Sequence, residues 1–163
     1  MTSIPAIQVR AIGLVRSEFK SKVGVPIQTA SAPDRTAELK VFPEFVAGLR
    51  DLESFEYLMF ITHMHLGIEE PLEVVPFLDT VSHGVFATRA PSRPNRIGLS
   101  IVRLLSIQGT ILRFQGNDMV NGTPVLDIKP YVPAFDVRHT DRIGWFAQRI
   151  EQLLGQVSDD RMR

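Results

Sequence analysis

Apolar and polar residues alternate through Ile7, Val9 and Ala11 and run on into Ile12-Gly13-Leu14-Val15, which predicts a first strand over residues 7–15. Residues 16–31 carry Gly24, Pro26 and scattered polar side chains without a sustained period, so they read as a loop. Ala37, Leu39 and Val41 then alternate with Glu38, Lys40 and Phe42, giving a second strand. Pro43 suits the first turn of a helix, where its missing N–H leaves nothing unpaired, and Phe45, Val46, Leu49 and Leu52 follow at helical spacing. The continuous apolar run over residues 57–62 predicts a strand buried on both faces. Further strands are expected at 83–88, 97–108, 110–115 and 123–129, with Pro130 and Pro133 ending the pairing. Asn121-Gly122 marks a tight turn, because that dipeptide tolerates positive φ.

Thr140 can cap a closing helix, on which Ile143, Phe146, Ala147, Ile150, Leu153 and Leu154 form one apolar face and Gly155 is the stop. Many short strands at hairpin spacing with two helices predict a mainly β fold, an antiparallel barrel-like or curled sheet. A single domain over residues 1–163 is expected, with its core at about 7–150 and a flexible tail at 156–163.

Composition removes whole classes of function. With no cysteine there is no disulfide frame, thiolate metal site or thiol nucleophile. No apolar run approaches the ~20 residues of a membrane span, and Met1-Thr2-Ser3-Ile4-Pro5 does not open like a signal peptide, so a cytoplasmic protein is expected. Neither a dinucleotide G-x-G-x-x-G nor a phosphate-binding G-x-x-x-x-G-K-[ST] occurs. The 18 basic and 18 acidic residues cancel, yet they are unevenly spread. Residues 34–79 hold ten carboxylates against Arg35, Lys40 and Arg50, whereas residues 80–117 hold none and include Arg89, Arg93, Arg96, Arg103 and Arg113. Such a stretch suits a phosphate-bearing partner; equally, its arginines can pair with the acidic half.

Arg89-Ala90-Pro91-Ser92-Arg93-Pro94-Asn95-Arg96 joins two apolar strands. Its prolines stiffen it, its arginines offer planar donor forks, and Asn95 can both donate and accept; a rigid exposed connector fits the spacing as well. His63 and His65 share a strand face, but no third metal ligand lies near, so one is expected at a pocket mouth and the other packed. Asp127, Lys129 and Tyr131 share strand parity, as an ion pair with a neighbour or as groups that orient a substrate and move a proton.

Three blocks together resemble the TsaA-like family, also called TrmO- or YaeB-like, whose members methylate N6-threonylcarbamoyladenosine in tRNA. They are residues 12–28 (IGLVRS…KSKVGVPIQ), 86–100 (FATRAPSRPNRIGLS) and 121–131 (NGTPVLDIKPY), in the family's order across nearly the whole chain. The resemblance implies a small β-barrel methyltransferase acting as a homodimer, with S-adenosylmethionine near the subunit interface and tRNA as substrate. It assigns cofactor contacts to Pro26, Ile27, Gln28, His65, Leu66, Arg89, Leu99, Asn117, Asp118 and Met119, and substrate handling to Arg93, Asn95, Lys129 and Tyr131. Asp127 and Tyr131 are the candidates for a base at N6; no metal is implied. The sequence departs from the family's pattern at Glu18, Ile27, Ser92, Arg96 and Asn121, where proline, arginine, an aromatic, proline and aspartate are usual. A further C-terminal domain of longer members is not expected here. Two other readings remain: a cofactor- or nucleotide-binding regulatory module with the same fold, and an RNA-binding barrel that uses the arginine loop.

Overall fold

The computed structural model describes residues 4–160, so expectations for residues 1–3 and 161–163 lie outside the described residues. Six strands close an antiparallel barrel: β1 (Gly13–Arg16), β2 (Thr36–Val41), β3 (Tyr57–His63), β6 (Ile97–Gln108), β7 (Ile111–Gln115) and β8 (Pro124–Pro130), in the order β1-β2-β7-β6-β3-β8. Two two-residue strands, β4 (Glu73–Val74) and β5 (His83–Gly84), form a separate hairpin. Closure leaves the barrel without an unpaired edge. Its interior is filled by the inward-facing residues Val15, Leu39, Val41, Leu58, Phe60, Val102, Leu112, Phe114 and Val125, and Phe60 meets Phe114 edge to face at 5.1 Å.

Several expectations change in physical detail. Residues 7–11 alternate, but among the described residues no strand pairs with them; Ile7 and Val9 are exposed, and the ladder starts only where Ile12 N–H meets Val125 O. The segment after Pro43 is a 3₁₀ helix, Pro43–Leu49, whose Phe45, Val46 and Leu49 still pack on the core. Strand β3 is not buried on both faces: Leu58, Phe60 and Thr62 point inward, while Met59, Ile61 and His63 are partly exposed outside. The strand expected at 83–88 stops at Gly84 and turns through Val85–Ala87. Asn121-Gly122 does form a turn, with Gly122 at φ 83°, but β7 and β8 on either side of it are not partners in the barrel. One four-residue α-helical turn, α1 (Pro133–Asp136), follows β8.

The closing helix is also replaced. Gly144 takes φ 64°, which a helix interior does not allow, and the segment folds into two 3₁₀ turns, Gly144–Gln148 and Ile150–Gln152. Residues 156–158, expected as the start of a tail, are stitched to the first loop. Pro26 bridges Val157, Ile27 N–H donates to Gln156 O, Gly24 N–H to Ser158 O, and Ser158 N–H to Val25 O.

Candidate functional site

A cavity of about 910 Å³ runs along the start of β6, within the range of ligand pockets. Four segments distant in sequence wall it: the loop around residues 25–30, the turn after β3, the arginine loop, and residues 118–120. A fifth wall is the C-terminal strap, through Ile143, Trp145, Phe146, Ile150 and Leu153.

The arginine loop is seated from below. Thr88, Ala90 and Ser92 are buried, so Arg89, Pro91 and Arg93 face the other way. Thr88 Oγ1 donates to Val85 O at 2.8 Å and accepts from Ala90 N–H, and Val74, Val85, Ala90 and Phe77 form a small second core beneath it. The charge question also resolves at this loop. Arg103 pairs with Glu56 at 3.1 Å, Arg113 with Glu38 at 2.9 Å and Arg96 with Glu70 at 3.8 Å. Among the described residues no carboxylate lies within ion-pair distance of Arg89 or Arg93, and both line the cavity. Arg89 donates to Gln28 Oε1 at 2.7 Å, joining the arginine loop to the first block. Arg93 is braced differently, with Nη1 donating to the carbonyls of Thr88 and Ala90.

Asp118 supplies the opposite charge. Ser100 Oγ, on β6, donates to its Oδ1 at 2.6 Å. Burial pushes the carboxyl up to about 6, against the hydrogen bond from Ser100, backbone donors including that of Thr29, and the Arg89 guanidinium. His65 stands in the turn after β3, near Gly122, and burial, followed by the neighbouring His63, lowers its pKa.

The cavity therefore gathers Pro26, Ile27, Gln28, His65, Leu66, Arg89, Leu99, Asp118 and Met119, together with Arg93. Other expected residues are elsewhere. Asn117 is fully buried and acts as a staple: its Nδ2 donates to Ser17 Oγ at 2.8 Å and its Oδ1 accepts from Met119 N–H at 3.1 Å. Asn95 sits at the loop tip at φ 62°, off the cavity. Asp127 and Lys129 form a 2.7 Å ion pair on the outer face of β8, and Tyr131 packs edge-on against Tyr57. Neither Asp127 nor Tyr131 lines the cavity, so within one chain neither reaches it as a base. The register nevertheless runs Asp127, Ile61, Leu99 across β8, β3 and β6, so Asp127 stands two strands, about 10 Å, from a cavity residue.

Sequence reasoning missed Ser100 as a partner of Asp118, and Trp145 of the strap. Ser100 carried one signal, a polar residue at an inward position between apolar neighbours. The departures are accommodated: Glu18 pairs with Arg35 at 3.2 Å, Asn121 Oδ1 accepts from Ser17 N–H at 3.1 Å, and Ile27 and Ser92 line the cavity.

The profile of the tRNA-methyltransferase O N-terminal domain matches residues 14–137, most of the chain. A probable S-adenosyl-L-methionine-binding protein of Pyrococcus abyssi is 48% identical over 152 residues, covering 93% of this chain and 83% of that one. The rat tRNA (adenine(37)-N6)-methyltransferase is 38% identical over 133 residues, 77% of this chain and 31% of the rat protein. A crystal structure of TrmO from Pseudomonas aeruginosa superposes with a TM-score of 0.74 at 36% identity, over 90% of this chain; the chain spans 64% of that one, just under two thirds. The chain belongs to the tRNA-methyltransferase O family.

Proposed function

We propose that the protein is an S-adenosylmethionine-dependent tRNA methyltransferase that methylates N6 of N6-threonylcarbamoyladenosine next to the anticodon, in the cytoplasm. The observation that carries the reading is the meeting of residues from the first two sequence blocks, the turn after β3 and residues 118–119 around one cavity that holds the Arg89 guanidinium and the Asp118 carboxylate.

The donor set fits the cofactor. Arg89 and Gln28 could take its carboxylate, Asp118 could meet its cationic or hydroxyl groups, and Ile27, Leu66, Leu99 and Met119 would offer apolar cover. When bound, the cofactor supplies an activated methyl group on a sulfonium, so the protein's task is to orient the acceptor and exclude water. The Arg89–Gln28 contact holds two walls in register, and the strap covers a third side.

A homodimer with the cofactor near the interface extends this reading. Ile97, Leu99 and Tyr57 are exposed on the outer face of β3 and β6, continuous with the cavity and beside Asp127 and Lys129. A second copy on that face would bring Asp127, Lys129, Tyr131 and Asn95 toward a neighbouring cavity, where Asp127 or Tyr131 could take the N6 proton. A second reading is a cofactor-binding protein that does not methylate tRNA; the archaeal relatives are named for S-adenosyl-L-methionine binding. Mass spectrometry of tRNA nucleosides from cells with and without the gene separates the two. Loss of the methylated nucleoside in the deletion, restored by the gene, is the expected result. An unchanged nucleoside pattern, with S-adenosylhomocysteine still bound by the purified protein, rejects tRNA methylation and leaves the binding reading.

A further inference from the structure

Two successive non-glycine residues, Asn95 and Arg96, hold left-handed backbone angles, φ 62° and 48°. Asparagine tolerates that region, but arginine gains nothing from it locally. Compensation for the strain at Arg96 comes from contacts with a different segment. Its carbonyl accepts from Met64 N–H at 2.8 Å, continuing the β3–β6 ladder past the ends of both strands. Its Nη1 donates to Gly67 O, and its Nε lies 3.8 Å from Glu70 Oε1. Its stem lies where a side chain on residue 67 would be: a Cβ on Gly67 would meet Arg96 Cδ at 2.9 Å. Residues 64–67 close their own turn, with Gly67 N–H on Met64 O, and carry His65 and Leu66 into the cavity.

We infer that Arg96 is a positioning residue, a clamp that holds the His65–Leu66 wall against the arginine loop and so sets how tightly the cavity binds its cofactor. Arg96 itself does not line the cavity; it acts through the turn it grips. Strained backbone anchored from outside is a recurrent property of ligand-binding loops, and here the anchor spans two cavity walls. The inference rests on the cavity being the cofactor pocket.

Arg96→Ala, Arg96→Lys and Gly67→Ala test it in the full chain. The measurements are S-adenosylhomocysteine affinity by calorimetry, the KM for S-adenosylmethionine and kcat with saturating tRNA, and the melting temperature. Arg96→Ala is expected to raise Kd and KM about tenfold while kcat changes less than about threefold. Arg96→Lys, which retains a donor for Gly67 O, should recover most of that loss, and Gly67→Ala should reproduce the Ala phenotype by displacing the Arg96 stem. Unchanged Kd and KM beside a lowered melting temperature would overturn the proposal, since Arg96 would then serve stability alone. Failure of the wild type to bind S-adenosylhomocysteine would instead reject the pocket assignment beneath it, and so the inference that depends on it.

Discussion

Replacing Asp118 with asparagine separates the electrostatic cost of this carboxylate from its hydrogen bond. The amide oxygen of the substituted side chain can still accept from Ser100 Oγ, so the 2.6 Å contact keeps a partner while the charge disappears. Burial raises the Asp118 pKa from 3.8 to about 6, so between these values the folded state binds the proton more tightly than the unfolded chain. Stability due to this group is therefore fully present at acid pH, declines as pH rises through about 4 to 6, and stays lost above that window. About two pH units correspond to about 3 kcal/mol. At pH 8 the D118N protein should be more stable than wild type by up to that amount, or about 6–12 °C in melting temperature for a chain of this size. At pH 4, where Asp118 is neutral, the two proteins should agree within about 1 kcal/mol. Urea denaturation followed by circular dichroism at the two pH values measures the difference, and titrations common to both proteins cancel in it. A stability gap that does not change with pH, or a D118N protein less stable at pH 8, would refute the reasoning.

Arg89→Ala should weaken S-adenosylhomocysteine binding about tenfold or more by calorimetry while leaving the fold intact, because among the described residues its side chain bonds only to Gln28. Asn117→Ala should destabilise the protein by about 2–4 kcal/mol in denaturant melts, since it strands the buried Met119 N–H and removes one of the two donors to Ser17 Oγ. Asp79 accepts from His83 at 3.1 Å and pairs with Arg149 at 3.5 Å, while Trp145, the only tryptophan, stacks on His83 and Phe146. Asp79→Asn should therefore red-shift tryptophan emission by loosening the strap, with little change in the barrel's melting transition.

The barrel was legible as strands, although the unbroken apolar run of β3 hid which face pointed inward. Leu39 and Val41 point inward as their alternation required, and Leu58 and Phe60, and Leu112 and Phe114, do the same at two-residue spacing. The strap was legible as a face but not as an element. Ile143, Phe146, Ile150 and Leu153 line the cavity as a helical stripe would, but Gly144 in the left-handed region and the break at Arg149 divide the segment into 3₁₀ turns. Residues 7–11 misled for the complementary reason: alternation marks a strand only where a neighbour supplies hydrogen bonds, and that depends on distant segments. At the site, most of the residues that the resemblance named meet in the cavity. The resemblance could not separate Asn117, which staples the turn from inside, from Asp118, which faces the cavity; adjacent residues on a turn share every sequence signal and differ only in direction.

The neutral total charge acquires meaning only once the pairs are known. Three of the five arginines in the acid-free stretch meet carboxylates from the acidic half, which leaves Arg89 and Arg93 as the local excess of positive charge at the cavity. A broad basic face would hold RNA by its phosphates and bind every sequence alike. Arg89 and Arg93, with no carboxylate at ion-pair distance among the described residues, line the same pocket as the half-buried Asp118, so opposite charges meet in one cavity. Such an arrangement favours a ligand that itself carries both charges, as the cofactor's sulfonium and amino-acid end do. On the proposed function, recognition of the tRNA falls to contacts around the rim, and Asp127 on the outer face of β8 lies within the span of two strands of it.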